Sequence, residues 1–225
     1  MKLQSDFRDY YDFAFSKDDK VTFFRNAGDR SMSKLDQFHL LQKLDLRTPM
    51  YGTPKILSAN GLGRDDLVVV YIYDKAHCGE GKTLIDLSLA LQDHPCTLCS
   101  QWVNTTGSFD ESRSYRLLQI GDRAWWLRYE GIGGWMSNHC EDTMIYIESE
   151  CSAINAEVLR PYPLFSIDFM FPVNTPYDDK LNLLDGYAID FNSAPGMKWT
   201  GIDEILQPWD VYNLISDYTD RNIAR

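Results

Sequence analysis

Two short apolar segments late in the chain, Leu164-Phe-Ser-Ile-Asp-Phe-Met170 and Gly186-Tyr-Ala-Ile-Asp-Phe-Asn-Ser-Ala-Pro-Gly196, constrain the fold more than any other feature. Their aromatic and β-branched residues read as short buried strands, yet each is interrupted by an acid where a core strand should not want one. Side chains alternate across a strand, so Asp190 and Asn192 face the same side. A neighbouring strand can lay Asp168 beside them. Two carboxylates and an amide oxygen on one face make a set of hard oxygen ligands. Such a set suits Mg²⁺, which binds through a few carboxylates together with substrate phosphates. The competing reading is a pair of strands whose acids point to solvent. Ser193-Ala-Pro-Gly196 then stops the second strand with a sharp turn.

Composition narrows the function classes. At 225 residues the chain can bury a sizeable core, and 44% hydrophobic with 24% charged residues is ordinary for a globular domain. A net charge of −11 argues against a nucleic-acid surface. No apolar run approaches the length of a membrane span. The opening Met1-Lys-Leu-Gln-Ser-Asp6 lacks the apolar core of a signal peptide, and five cysteines without a framework fit a reducing compartment. The expected location is cytoplasmic.

In chain order, residues 1–32 mix aromatic and charged side chains and read as a short N-terminal segment ahead of one unit covering 33–225. Ser33 is a helix N-cap candidate, followed by Leu35, Phe38, Leu41 and Leu44 at helical spacing. The β-branched run within Asp66–Tyr73 predicts a buried strand. A loop with Gly79, Gly81, Lys82 and Thr83 follows, then a helix expected to turn Leu84, Leu87 and Leu91 inward. Strand, glycine loop, Gly-Lys-Thr and helix is also the context of a P-loop, but that spacing needs glycine where Ala76 stands. Cys96 and Cys99 form a Cys-x-x-Cys, with His77-Cys78 and His139-Cys140 too distant for finger-like zinc spacing; small buried thiols are the alternative. Ser114–Tyr129 predicts a β-hairpin about Gly121-Asp122. Cys151–Arg160 reads as a short helix, and Ile202–Leu206 and Val211–Tyr218 as closing helices.

These segments resemble, in order, the ATP-grasp fold shared by glutathione synthetase, D-alanine–D-alanine ligase and ligases that add glutamate to protein tails. Ile-Asp-Phe, then Ile-Asp-Phe-Asn-Ser-Ala-Pro-Gly, then Thr200-Gly-Ile-Asp-Glu-Ile205 looks like the end of that fold, with Asp190 where those enzymes usually have Glu. Met32–Pro49 resembles its "Asp-Lys-Leu … Gly-Ile-x-x-Pro" helix, which implies that Lys34 reaches the nucleotide phosphates. Leu98–Val103 resembles the hinge strand, usually "Gln-Glu-Tyr-Ile", making Gln101, Trp102 and Val103 the adenine-binding positions. The hairpin resembles "Asp-x-Arg-x-x-Val-x-Gly-Asp", which implies a role for Arg116 at the reacting centre; Arg128 is a second inward candidate. Trp135-Met-Ser-Asn138 resembles "Phe-Arg-Ser-Asn", with Met136 in place of the arginine.

The resemblance implies an α/β (α+β) fold, a mostly antiparallel sheet with flanking helices around a nucleotide cleft. It implies an ATP- and Mg²⁺-dependent carboxylate–amine ligase working through an acyl phosphate. Asp168, Asp190 and Asn192 would hold the metal. The strand lysine of the family is replaced by Tyr71, so Lys82, or Lys75, is expected to supply that charge from the loop. The acid and the amine are open, a protein or peptide among them. With so short an N-terminal segment, a homodimer or a partner protein is a candidate for completing the cleft. The reading from another class is a nucleotide-binding regulatory or scaffold protein on a degraded ATP-grasp fold, which the losses at Tyr71 and Met136 favour.

Overall fold

The computed structural model describes residues 32–73, 81–137, 140, 142–175, 182, 185–193, 195, 197 and 200–222. The N-terminal segment expected at 1–32 therefore lies, apart from Met32, outside the described residues.

Helix α1 (Lys34–Lys43) starts where the N-cap signal predicts: Ser33 Oγ accepts from the Asp36 backbone N–H at 3.1 Å and satisfies one orphan donor of the first turn. Its buried positions are Lys34, Phe38, Leu40 and Leu41, whereas Leu35 is exposed. The expected stripe is thus rotated: the i, i+4, i+7 series begins at Lys34, a charged residue that hydrophobicity alone would not select.

The chain then builds two antiparallel sheets. The smaller has the order β1-β4-β2-β3, from β1 (Tyr51–Gly52), β2 (Leu67–Tyr71), β3 (Lys82–Asp86) and β4 (Cys99–Gln101). Helices α2 (Pro54–Ala59) and α3 (Leu87–Asp93) cover it through Leu57, Leu87 and Ala90. Leu84 belongs to β3, not to a helix as its spacing suggests. Thr83, Leu84 and Ile85 pair across to Val70, Val69 and Val68, and helix begins only at Leu87. A strand returning antiparallel after the loop also removes the P-loop reading, which needs a helix there.

The larger sheet has the order β7-β6-β5-β8-β9, from β5 (Glu111–Ile120), β6 (Arg123–Ile132), β7 (Asp142–Cys151), β8 (Leu164–Met170) and β9 (Tyr187–Asn192). Hairpin β5–β6 turns at Gly121-Asp122 as predicted. Gly121 has φ +59°, and a Cβ there would lie 2.5 Å from the Leu214 carbonyl oxygen, so only glycine fits. Cys151–Arg160 does not form the expected helix. Cys151 completes the edge strand β7, and only a 3₁₀ turn forms at Glu157–Leu159. Helices α4 (Ile202–Ile205) and α5 (Pro208–Asn222) close the chain as anticipated. Among the described residues no helix is long and apolar enough to cross a membrane.

One face of the larger sheet, through Tyr115, Leu117, Trp126, Ile167 and Phe169, joins a core with α1 and with Val69 and Tyr71 of the smaller sheet. The other face, through Leu118, Ile120, Trp125 and Leu127, is covered by Ile202, Leu206, Val211 and Ile215. Phe38 links helix and sheets: it is fully buried, stacks on Tyr51 at 4.5 Å and meets Tyr71 edge-on at 6.2 Å. Phe38→Ala is expected to cost about 3–5 kcal/mol, read as a lower denaturant midpoint at unchanged slope.

Candidate functional site

Between the two sheets lies an open cleft with about 660 Å³ of empty space. α1 contributes Lys34; the smaller sheet contributes Val69, Tyr71, Lys82 and Ser100; the larger contributes Ser114, Asp168, Met170, Ile189 and Asp190. The segment after β4, Gln101, Trp102 and Val103, and the turn Trp135–Ser137 complete the lining.

The register of β8 and β9 makes the centre of the site. Asp168 and Asp190 are direct cross-strand partners, and a bulge beside them leaves Ile189 unpaired between Ala188 and Asp190. Like charges this close cannot both stay ionised without cations, and each has one. Arg116, the register partner of Asp168 on β5, grips both its oxygens with a two-pronged fork at 2.6 and 2.9 Å and donates to Tyr129 Oη at 3.2 Å. Lys34 Nζ lies 2.5 Å from Asp190 Oδ1, and it also donates to the Ile189 carbonyl at 2.6 Å and to Gln37 Oε1 at 3.3 Å. Lys82, the cross-strand partner of Tyr71, stands with its ammonium 6.0 Å from that ring and makes no ion pair among the described residues.

Electrostatics follow from this packing. Burial alone would raise the Asp190 pKa, but Lys34, Lys82 and Arg116 outweigh it and hold the carboxyl below its ordinary value. The Arg116 guanidinium is held charged: burial opposes this, and the Asp168 carboxylate more than offsets it. Burial pushes the Tyr71 phenol up, against the pull of Lys82, and its hydroxyl pairs with Ser100 Oγ at 2.9 Å. Burial likewise raises Tyr129 against the pull of Arg116. Three cations, Lys34, Lys82 and Arg116, thus face two carboxylates, a local positive excess in a chain of net charge −11.

The residues singled out from sequence divide accordingly. Lys34, Lys82, Gln101, Trp102, Val103, Asp168 and Asp190 all line the cleft, and Arg116 lies directly behind Asp168. Asn192 faces Ser166 across the strands, is exposed and does not line the cleft. Arg128 does not point there either. It is paired with Tyr115 rather than with Arg116, and its guanidinium stacks 4.5 Å from Tyr146 while bonding Glu130 and Glu148. Trp102 stacks on Phe109 at 5.2 Å. Lys75, Ala76, His77, Cys78, Gly79, Asn138 and His139 lie outside the described residues.

The structure adds Tyr129, Ser100 and the buried Ser114–Ser137 hydroxyl pair, 2.5 Å apart, to the surroundings of the site. Hairpin register could have found Tyr129, since a turn at Gly121-Asp122 pairs Arg116 with Leu127 and puts Tyr129 on the same face. The donor chemistry of Asp168 and Asp190 fits Mg²⁺, with phosphates and waters completing the shell. Among the described residues no three His, Cys, Asp or Glu are grouped to hold a metal; of the Cys-x-x-Cys pair, Cys99 is buried, as small thiols often are, and Cys96 is exposed.

No protein-family model and no curated protein matches the sequence. Solved structures do. The chain is similar to D-alanine–D-alanine ligase from Bacillus anthracis complexed with ATP, at TM-score 0.51 and 11% identity over 85% of this chain and 66% of that one. It is similar to the RiPP-associated ATP-grasp ligase of Chryseobacterium gregarium, in complex with ADP and a leader and core peptide, at 0.51 and 13% over 96% and 70%. D-alanyl-alanine synthetase A from Vibrio cholerae O1 biovar eltor matches at 0.51 and 12% over 85% and 66%. The chain has the ATP-grasp fold, and it spans about two thirds of the length of these structures.

Because the folded-state pKa of Asp190 is depressed, its ion pairs stabilise the fold above the unfolded value of about 3.9, and that contribution is lost as pH falls through the folded value. Asp190→Asn is expected to be less stable than the natural chain at neutral pH. Denaturant midpoints measured across pH should show the gap closing below about pH 4; a gap independent of pH would contradict the pairing.

Proposed function

We propose that this chain is an ATP- and Mg²⁺-dependent carboxylate–amine ligase acting through an acyl phosphate on an acid and an amine of unidentified class, a peptide among the candidates. The observation that carries the reading is the Asp168–Asp190 pair at the base of a cleft between two antiparallel sheets, with three cations around it. A polyanionic ligand is drawn to this point in an acidic molecule because the local charge is positive while the rest repels it.

In this reading Asp168 and Asp190 hold the metal; Asn192, the third ligand expected from sequence, lies two residues further along β9 and outside the cleft lining. Mg²⁺, when bound, supplies charge neutralisation on the transferring phosphate. Gln101 and Val103 offer main-chain groups to adenine, and Trp102, already fixed by Phe109, offers an aromatic face. Lys82 is the cation of the three that makes no ion pair among the described residues, so its ammonium can turn to phosphate without breaking a bond. Arg116 keeps Asp168 in place from behind the cleft wall and adds its fixed positive charge to the field at the reacting centre. No Ser-His or Cys-His pair is required: burial holds Cys99 up at about 12 and Cys151 up at about 11, the latter helped by Glu150. A cytoplasmic setting agrees with Cys96, Cys99, Cys140 and Cys151 being free.

The second reading is a nucleotide-binding regulatory or scaffold protein. Tyr71 and Met136 favour it, since both line the cleft with uncharged side chains where the ATP-grasp resemblance leads one to expect cations.

Calorimetry with ATP in Mg²⁺ buffer tests the binding claim: saturable binding is expected, weakened about tenfold or more by Trp102→Ala. Absence of binding by the natural chain would sink both readings. For turnover, ATP hydrolysis screened against pools of carboxylates and amines should rise with the right pair, and Lys82→Met should cut phosphate transfer about a hundredfold or more with little change in melting temperature. Wild-type turnover in that variant would leave Lys82 without its role.

A further inference from the structure

The Lys34 ammonium occupies an unusual position for a lysine. It is nearly buried, its side chain 6% exposed, and it is met by a carboxylate, a main-chain carbonyl and an amide oxygen at 2.5, 2.6 and 3.3 Å. Those are the hard oxygen donors that a divalent cation prefers. The arrangement is built rather than incidental. The bulge in β9 frees the Ile189 carbonyl from the strand ladder, and Gln37 Oε1, one turn along α1 from Lys34, also accepts from the Phe191 N–H at 3.3 Å. Lys34 is the first residue of α1, where the helix dipole disfavours a cation. The position is tolerable because Asp190 sits against it.

The two carboxylates are held differently. Arg116 binds Asp168 with two prongs, is anchored by Tyr129 and stays behind the cleft wall. Lys34 makes one bond to Asp190, and both line the cleft. Of the two pairs, Lys34–Asp190 is the one a ligand can exchange.

We propose that Lys34 is a cation place-holder: in the nucleotide-free protein its ammonium takes the coordination position on Asp190 that a divalent ion would take, so the protein does not load metal until a polyphosphate draws the ammonium away. The inference rests on Asp190 being the metal ligand of the proposed ligase. It makes metal uptake conditional on nucleotide.

The test uses the full chain without nucleotide and magnesium chloride alone as the probe. Calorimetric titration of the natural protein and of Lys34→Met should show a gain in Mg²⁺ affinity of about tenfold or more in the variant, because one positive charge within contact distance of Asp190 is gone. Lys34→Arg, which keeps the charge, should show no gain. Where Lys34→Met does not fold, Lys34→Gln gives the same comparison with the polar contact retained. Equal or weaker Mg²⁺ binding in the neutral variants would overturn the proposal. Failure of the natural chain to bind ATP with the Mg²⁺ gain intact would instead count against the ligase reading alone.

Discussion

Two carboxylates side by side across adjacent strands are the constraint on which the rest of this structure depends. Asp168 and Asp190 are register partners on β8 and β9, and the Ile167 and Phe169 that flank Asp168 are fully buried. Left to themselves they would repel, and one would take up a proton. The fold answers with one cation from each side: Arg116 from β5 and Lys34 from the first turn of α1. Removing one partner of such a pair typically costs about 3–5 kcal/mol, whereas replacing both by well-packed apolar groups is often neutral or better. Net stability alone is therefore a weak reason for the pairs, although breaking either one is costly.

Much of the remaining architecture can be read as what holds these charges in place. The Phe38–Tyr51–Tyr71 aromatic cluster fixes α1 against the smaller sheet and thereby aims Lys34 at β9. The ammonium of Lys34 stands 5.3 Å from the Phe38 ring and 5.4 Å from the Tyr71 ring, so aromatic faces carry part of its solvation. Tyr71 thus puts a rigid ring beneath two lysines, the second being Lys82, its cross-strand partner, whose ammonium stands 6.0 Å from the ring. A shift of one residue in that hairpin would turn Lys82 to the other face of the sheet.

What the sequence by itself determined was local. The N-cap at Ser33, the turn at Gly121-Asp122 and the strands carrying Asp168 and Asp190 were all legible, because capping, turn chemistry and two-residue alternation depend only on neighbours in the chain. The order of these segments also marked the fold. Tertiary structure decided the rest. Leu84 went to a strand rather than a helix because three valines of β2 were there to pair with its segment. Cys151 went to an edge strand because β6 offered it a ladder. Arg128 turned away from the cleft because one residue of register separates it from the face that Arg116 shares with Asp168. Above all, that Lys34 would lie 2.5 Å from a carboxylate 156 positions away could not be read from either segment. The energy of an ion pair belongs to a distance in space, and only the packing of α1 on β9 sets that distance.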